Sequence, residues 1–407
     1  MPKNQLRLGG AIFIGLASML GAGVFVVFRD AYAISAGLIF VAIAVAGAVA
    51  VLNSASVYRL AQAVDRPGGV YAYSRVYLND SASFLSGFAF VFGKIGSIAA
   101  IAMVFTEYVM PEQGIWPSAL AIIVLAAINI SGIQRTAAVA TVLAVSTFTF
   151  LAVVIVASFT SIETTLGLQV ALMAETELPP LLAILQGASV VFFAFAGYAR
   201  VATLGNEVAD PKRNIPRAIV VSLGLVLVIY VLLALALLTK LGPLIATIQA
   251  PIGYVATQSI AGLPFWVPAS VAALASLGSM LAILAGVSRT AASMSEDLEL
   301  PKIFARRNAK GAPWVAEMVI AAGAIALTTA GNLSWVIGFS SFSVLFYYAV
   351  GHLAAYRQVK RFGWQRLVAI LGFVLCAALS FAVPGPAALV SVAILGFALV
   401  ARKLFRR

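Results

Sequence analysis

The feature that most constrains this chain is the recurrence of apolar stretches as long as a bilayer is thick. From Ala218 to Thr239 there is no charged side chain, and a helix of about 20 apolar residues spans the hydrocarbon core of a membrane. Windows of this kind begin near Leu8, Ala33, Phe84, Trp116, Thr136, Pro180, Ile215, Pro264, Pro313, Leu333, Leu367 and Pro386, the last two being the shortest. Only 10% of the 407 residues are charged and 62% are hydrophobic, whereas a soluble domain carries roughly 25% charged residues. Water does not tolerate that much apolar surface, and lipid requires every backbone group to be bonded within a helix or a closed barrel. The expected fold is an all-α integral membrane protein of about 12 helices, one domain with short connections and no soluble part.

The net charge of +12, taken by itself, suggests a nucleic-acid partner. Its distribution points elsewhere. With the N-terminus and its Lys3 and Arg7 placed in the cytoplasm, 22 of the 26 Lys and Arg residues fall on that side, in clusters such as Lys212, Arg213, Arg217 and Arg306, Arg307, Lys310. The segment from Ser161 to Pro180 holds Glu163, Glu175 and Glu177 and no base, as an external loop should. Basic residues accumulate in cytoplasmic loops, so the reading is a multi-pass protein of the cell membrane with both termini cytoplasmic. The basic excess faces anionic lipid; the partner is the bilayer, not nucleic acid. The first stretch, Leu8 to Phe28, lacks a small-residue cleavage site after a short core and reads as a retained span.

Several chemistries are excluded. Cys376 is the only cysteine and His352 the only histidine, so neither a disulfide framework nor a Cys/His metal cluster is available. His352 lies near the end of an apolar helix with no acid close in sequence, and reads as structural. No G-x-x-x-x-G-K-[ST] loop occurs. An enzyme is disfavoured, and no cofactor is expected beyond a coupling proton or sodium ion.

Two spans carry an interruption. The first contains Gly21-Ala22-Gly23 within Met19 to Phe25, and the sixth contains Phe192-Phe193-Ala194-Phe195-Ala196-Gly197. Glycine inside a helix costs about 1 kcal/mol relative to alanine, and one such residue would suit close helix packing. Two interruptions five spans apart instead match an inverted repeat with a midplane site. The repeats would run from about 8 to 159 and from about 180 to 357, with extra helices at about 366 to 403. A break frees N–H groups at one half-helix and C=O groups at the other. The first attract a carboxylate and the second an ammonium, which together suit a zwitterionic amino acid.

At these residues the chain resembles the amino acid–polyamine–organocation transporter superfamily. Met19-Leu20-Gly21-Ala22-Gly23-Val24-Phe25 is similar to that family's Gly-Ser-Gly-Ile-Phe break, with Ala22 where serine is common. Asn206-Glu207-Val208-Ala209-Asp210-Pro211, continuing through Ile215-Pro216-Arg217-Ala218-Ile219, resembles the family's Glu-Glu-Val-x-x-Pro-x-x-x-Ile-Pro-Arg-Ala-Ile loop, with Asn206 for the first Glu. Ser288-Arg289 to Pro313 is similar to the eighth-helix exit, and Arg66-Pro67-Gly68-Gly69-Val70-Tyr71-Ala72-Tyr73 to the loop after the second helix. The resemblance implies a five-plus-five inverted repeat with two extra helices, alternating access, and an amino acid or related amine as substrate. It also implies that Gly21, Ala22 and Gly23 offer N–H groups to the substrate carboxylate. Phe193, Ala194 and Ala196 would offer carbonyls to its amino group, and Phe193 would be the aromatic gate.

Charges within spans are functional candidates. Lys94 lies midway along the third span; some family members have a lysine on the fifth helix in place of sodium, whereas the span from Thr136 to Phe159 here has none. The reading is that Lys94 acts as a fixed cation or proton carrier. Ser276 and Ser279 on the eighth span would supply oxygens toward a coupling ion. Arg200 would face the inner vestibule and Glu107 the outer one, and Glu207, Asp210 and Arg217 would form an inner charge network. The leading function is a secondary amino acid transporter, a proton-coupled symporter or an exchanger, with neutral substrates favoured. The alternatives are a polyamine or cationic amino acid transporter, or a non-transporting amino acid sensor on the same scaffold.

Overall fold

The computed structural model describes residues 7–64, 68–132, 137–161, 166–197 and 208–405. Among them there is no strand, and every long element is a helix. The first span is α1 (Leu8–Met19), a 3-10 turn over Ala22–Phe25, and α2 (Val27–Ser35). Then come α3 (Ile39–Ala63), the short α4 (Val70–Tyr77), α5 (Asp80–Val109), α6 (Trp116–Ile130) and α7 (Ala137–Thr160). After α8 (Leu166–Met173) follow α9 (Pro180–Phe195), α10 (Pro211–Leu241), α11 (Pro251–Ser259) and α12 (Trp266–Glu296). The chain ends with α13 (Trp314–Ala330), α14 (Leu333–Gln358), α15 (Trp364–Phe381) and α16 (Ala387–Phe405). Among the described residues, eight helical stretches are long and apolar enough to cross a membrane, and α1, α6, α9 and α13 are shorter apolar helices.

The first two spans divide differently from the expectation. A second helix starting near Ala33 is overturned: α2 runs to Ser35 and α3 begins at Ile39. The apolar run is unbroken there, so hydropathy carries no boundary. The turn is made by a distant segment. Ala36 takes a positive φ of 45°, the Gly37 N–H donates to Ala174 O at 3.2 Å, and the Tyr32 hydroxyl donates to Ala171 O at 3.0 Å. The helices α8 and α11 are not expected from the sequence, in which residues 161–180 read as an external loop.

Burial sorts the helices. In α14, 83% of the apolar window is buried, against 28% in α16, so α14 is central and α16 peripheral. The seat for α14 is a small-residue stripe on α5. A Cβ at Gly93 would come 2.7 Å from Ser343 Cβ, one at Gly96 would come 3.0 Å from the Phe339 ring, and the Ser97 and Ser340 hydroxyls bond at 2.7 Å. Small residues let membrane helices approach closely where no hydrophobic force drives them together. Asn79 and Asn332 cap α5 and α14, each accepting a backbone N–H through its side-chain oxygen.

One charge cluster ties α4, the segment after α12 and α16 together at the end of the bundle where α12 terminates. Glu299, its side chain fully buried, receives Arg75 of the α4 segment at 2.6 Å and Arg402 of α16 at 2.5 Å. Arg75 also reaches Asp297 at 2.9 Å, and the Tyr71 hydroxyl donates to Asp297 at 2.7 Å. Burial, and then that hydrogen bond, holds the Tyr71 phenol above its ordinary range, so it stays a donor.

Candidate functional site

The break in the first span is a change of helix type. The last α bond of α1 runs from Leu20 N–H to Leu16 O at 2.8 Å. Gly21 is then extended, with φ −80° and ψ −157°, and the 3-10 turn closes with Val26 N–H donating to Gly23 O at 3.3 Å. A 3-10 turn bonds from residue i+3 back to i, so its leading N–H groups have no partner inside it. Those groups belong to Gly21, Ala22 and Gly23, the expected carboxylate cradle.

In the sixth span, α9 stops at Phe195, and Ala196 N–H makes only a loose 3.4 Å bond to Phe193 O. The two breaks lie against each other. A Cβ on Gly23 would sit 2.9 Å from Ala194 Cα and 3.3 Å from the Phe193 ring. A Cβ on Gly197 would overlap the Ser18 carbonyl oxygen, and one on Gly21 would overlap the Ser279 hydroxyl. Gly23 and Gly197 are therefore required by backbone contact between the two spans and Gly21 by a side chain of α12, and the packing and interruption readings both hold. Phe193 is buried with its ring against Gly23.

Two phenols that the sequence reading missed hold the broken spans. Tyr230 of α10, fully buried, donates to Met19 O at 2.8 Å and to Ala194 O at 3.1 Å. Tyr108 of α5 donates to Phe25 O at 3.2 Å and sets its ring edge-on to Phe25. The available signal was a tyrosine in the middle of the long uncharged run from Ala218 to Thr239. Of the three carbonyls expected to receive an ammonium, Ala194 O is thus already bonded by a phenol and Phe193 O loosely by the backbone.

The coupling candidates separate. Ser279 touches the first break at Gly21, and Ser276, three residues away on the same helix, has a fully buried hydroxyl without a hydrogen-bond partner among the described residues. Lys94 forms no ion pair among the described residues. It lies seven residues from Gly87, which packs against Tyr71 and Met294 of α12, and between Phe90, whose ring packs on Tyr347 of α14, and Ser97, which bonds Ser340 of α14.

Glu107 belongs to a network joining α2, α5 and α14: Arg29 of α2 pairs with Asp30 at 2.9 Å and with Glu107 of α5, and Ser334 of α14 donates to Asp30 at 2.5 Å. Arg200 and Glu207 lie outside the described residues. No ion pair joins Asp210 to Arg217 among those described, and the Glu299 cluster is the network found instead. His352 is structural. Its Nε2 meets Asn53 Oδ1 at 2.7 Å and its Nδ1 meets Ser56 Oγ at 3.0 Å, while the Cys376 thiol donates to the same Asn53 oxygen at 3.1 Å. Because Asn53 Oδ1 is an acceptor, Nε2 is assigned the proton.

The sequence matches the amino acid permease family over residues 10–403. An uncharacterized transporter of Mycobacterium tuberculosis is 38% identical, over 98% of this chain and 90% of that protein. Cationic amino acid transporter 7 of Arabidopsis thaliana, a chloroplastic protein, is 26% identical over 91% of this chain and 68% of its own. Asc-type amino acid transporter 1 of the mouse is 24% identical over 84% and 67% respectively.

Proposed function

The chain belongs to the amino acid permease family, and from that premise we propose that it is a secondary active transporter that moves amino acids across the cell membrane by alternating access. As a family member it is a multi-pass membrane transporter of small-molecule substrates, not an enzyme. The proposal extends this to about 12 spans with both termini cytoplasmic, an inverted repeat over about 8–159 and 180–357 with two further helices, and a site at the paired breaks.

The observation that carries the reading is the meeting of the breaks. The N–H groups of Gly21, Ala22 and Gly23, which have no partner inside the 3-10 turn, stand beside the C-terminal end of α9, formed by Phe193, Ala194 and Ala196. Positive and negative half-helix ends there match the two charges of an amino acid. The residues at the breaks are glycine, alanine and phenylalanine, with no acid to receive a cationic side chain, which favours neutral substrates. The cationic amino acid transporter among its relatives keeps a cationic substrate as the alternative.

The test is uptake and counterflow of labelled amino acids in proteoliposomes, beside thermal-shift binding at two pH values with and without sodium. Saturable uptake of neutral amino acids is expected. Binding without any uptake or exchange would favour a sensor, and uptake confined to arginine, lysine or polyamines would favour the alternative.

Coupling is assigned to Lys94, with Ser276 and Ser279 offering hydroxyl oxygens between α12 and the first break for a proton-linked or sodium-linked step. We expect Lys94→Ala to retain amino acid binding within about threefold, less than about 1 kcal/mol, while its uptake loses the wild-type pH dependence. An unchanged pH profile in this variant would remove Lys94 from the mechanism.

A further inference from the structure

The Tyr230 hydroxyl stands where the two breaks converge. Met19 ends α1 and Ala194 is the penultimate residue of α9, so the carbonyls it bonds belong to two half-helix C-termini aimed at one point. That point carries negative potential from both helix ends, and the group found there is a neutral phenol. Its position is fixed by aromatic contact: the Phe28 ring of α2 lies edge-on at 5.8 Å and the Phe195 ring of α9 lies at 4.8 Å. One side chain therefore touches the end of α1, the start of α2 and the end of α9.

A phenol has one proton to donate. It cannot fully satisfy both Met19 O at 2.8 Å and Ala194 O at 3.1 Å. Ala194 O is also an acceptor expected for the substrate ammonium. We propose that Tyr230 is a positioning residue that couples ammonium capture at the sixth-span break to the first half of the first span. This rests on the amino acid transport reading above. The arriving ammonium takes Ala194 O, the hydroxyl turns its hydrogen bond wholly to Met19 O, and the hold on α1 changes only when a substrate with an amino group is present. Carboxylate capture at Gly21–Gly23 does not shift this hydrogen bond.

The experiment compares wild type with Tyr230→Phe, which keeps the ring and removes the hydroxyl. Binding is measured for a transported amino acid and for its analogue lacking the α-amino group; exchange is measured as KM and kcat. Without the phenol, the buried Ala194 carbonyl has no competing side-chain donor among the described residues, and an unbonded buried acceptor is costly. The amino acid should bind at least about threefold tighter while kcat falls at least about tenfold, and binding of the desamino analogue should not change. Equal tightening of both ligands, or a loss of active protein with KM and kcat of the remainder unchanged, would overturn the proposal. If Tyr230→Phe does not fold, 3,5-difluorotyrosine at position 230, a stronger donor of similar size, should weaken amino acid binding and spare the analogue; no shift there would overturn it equally. A wild-type protein that neither binds nor exchanges any amino acid would instead refute the transport reading, whereas binding without the Tyr230 effect refutes this inference alone.

Discussion

Replacing Gly197 by alanine is expected to abolish transport and to lower stability by about 3 kcal/mol or more, at the upper end of overpacking costs. The reason is geometric. The added methyl would occupy the space of the Ser18 carbonyl oxygen, which is backbone and has no rotamer to yield. Either α1 or the end of the sixth span must move, and that movement separates Met19 O and Ala194 O from their shared phenol. The control is Gly224→Ala on α10, where nothing lies within 4 Å of the new methyl; it should behave as wild type, since alanine is the better helix former. Thermal denaturation in detergent and uptake into vesicles read both variants. Wild-type uptake by Gly197→Ala would show that the two spans do not meet backbone to backbone.

The second large effect is expected at Glu299. Removing one partner of a buried ion pair leaves uncompensated charge and costs about 3 to 5 kcal/mol. Glu299 is the shared partner of Arg75 and Arg402, and its side chain is fully buried. Glu299→Ala should therefore destabilise the protein by about that amount, open α16 to proteolysis, and leave two guanidinium groups facing each other. Arg402→Ala should cost less, because Glu299 keeps Arg75. In the double variant the two losses should fail to add, since both residues belong to one network. A cost under about 1 kcal/mol for Glu299→Ala would place this cluster with ordinary exposed pairs and remove its role in holding the terminal helix.

Much of the site was legible because its signals are local. Gly21, Ala22 and Gly23 mark a break within a run that otherwise favours helix, and the break is there. Gly197 was readable as an interruption, but its contact with Ser18 was not, because the two residues are far apart in sequence and both sit in apolar surroundings. Tyr230 and Tyr108 were passed over for a related reason: a phenol in an apolar span looks like packing until its acceptors are known. The charge network was assigned to Glu207, Asp210 and Arg217 on proximity along the chain. The cluster found joins Arg75 of α4, Asp297 and Glu299 of the segment after α12, and Arg402 of α16. The Ser35–Leu38 turn escaped for want of any change in hydropathy.

What the amino-acid order decided by itself is the membrane class, the helical state of the spans and the two places where helix fails. These follow from the cost of unbonded backbone in lipid and from single-residue preferences, and neither needs a partner. Which carbonyls stay free at the breaks, which arginines meet Glu299 and where the first span ends were decided only in three dimensions. Each of those depends on a donor or a methyl-sized space supplied by another helix, and in a chain of uniformly apolar spans no sequence pattern says which helix that is.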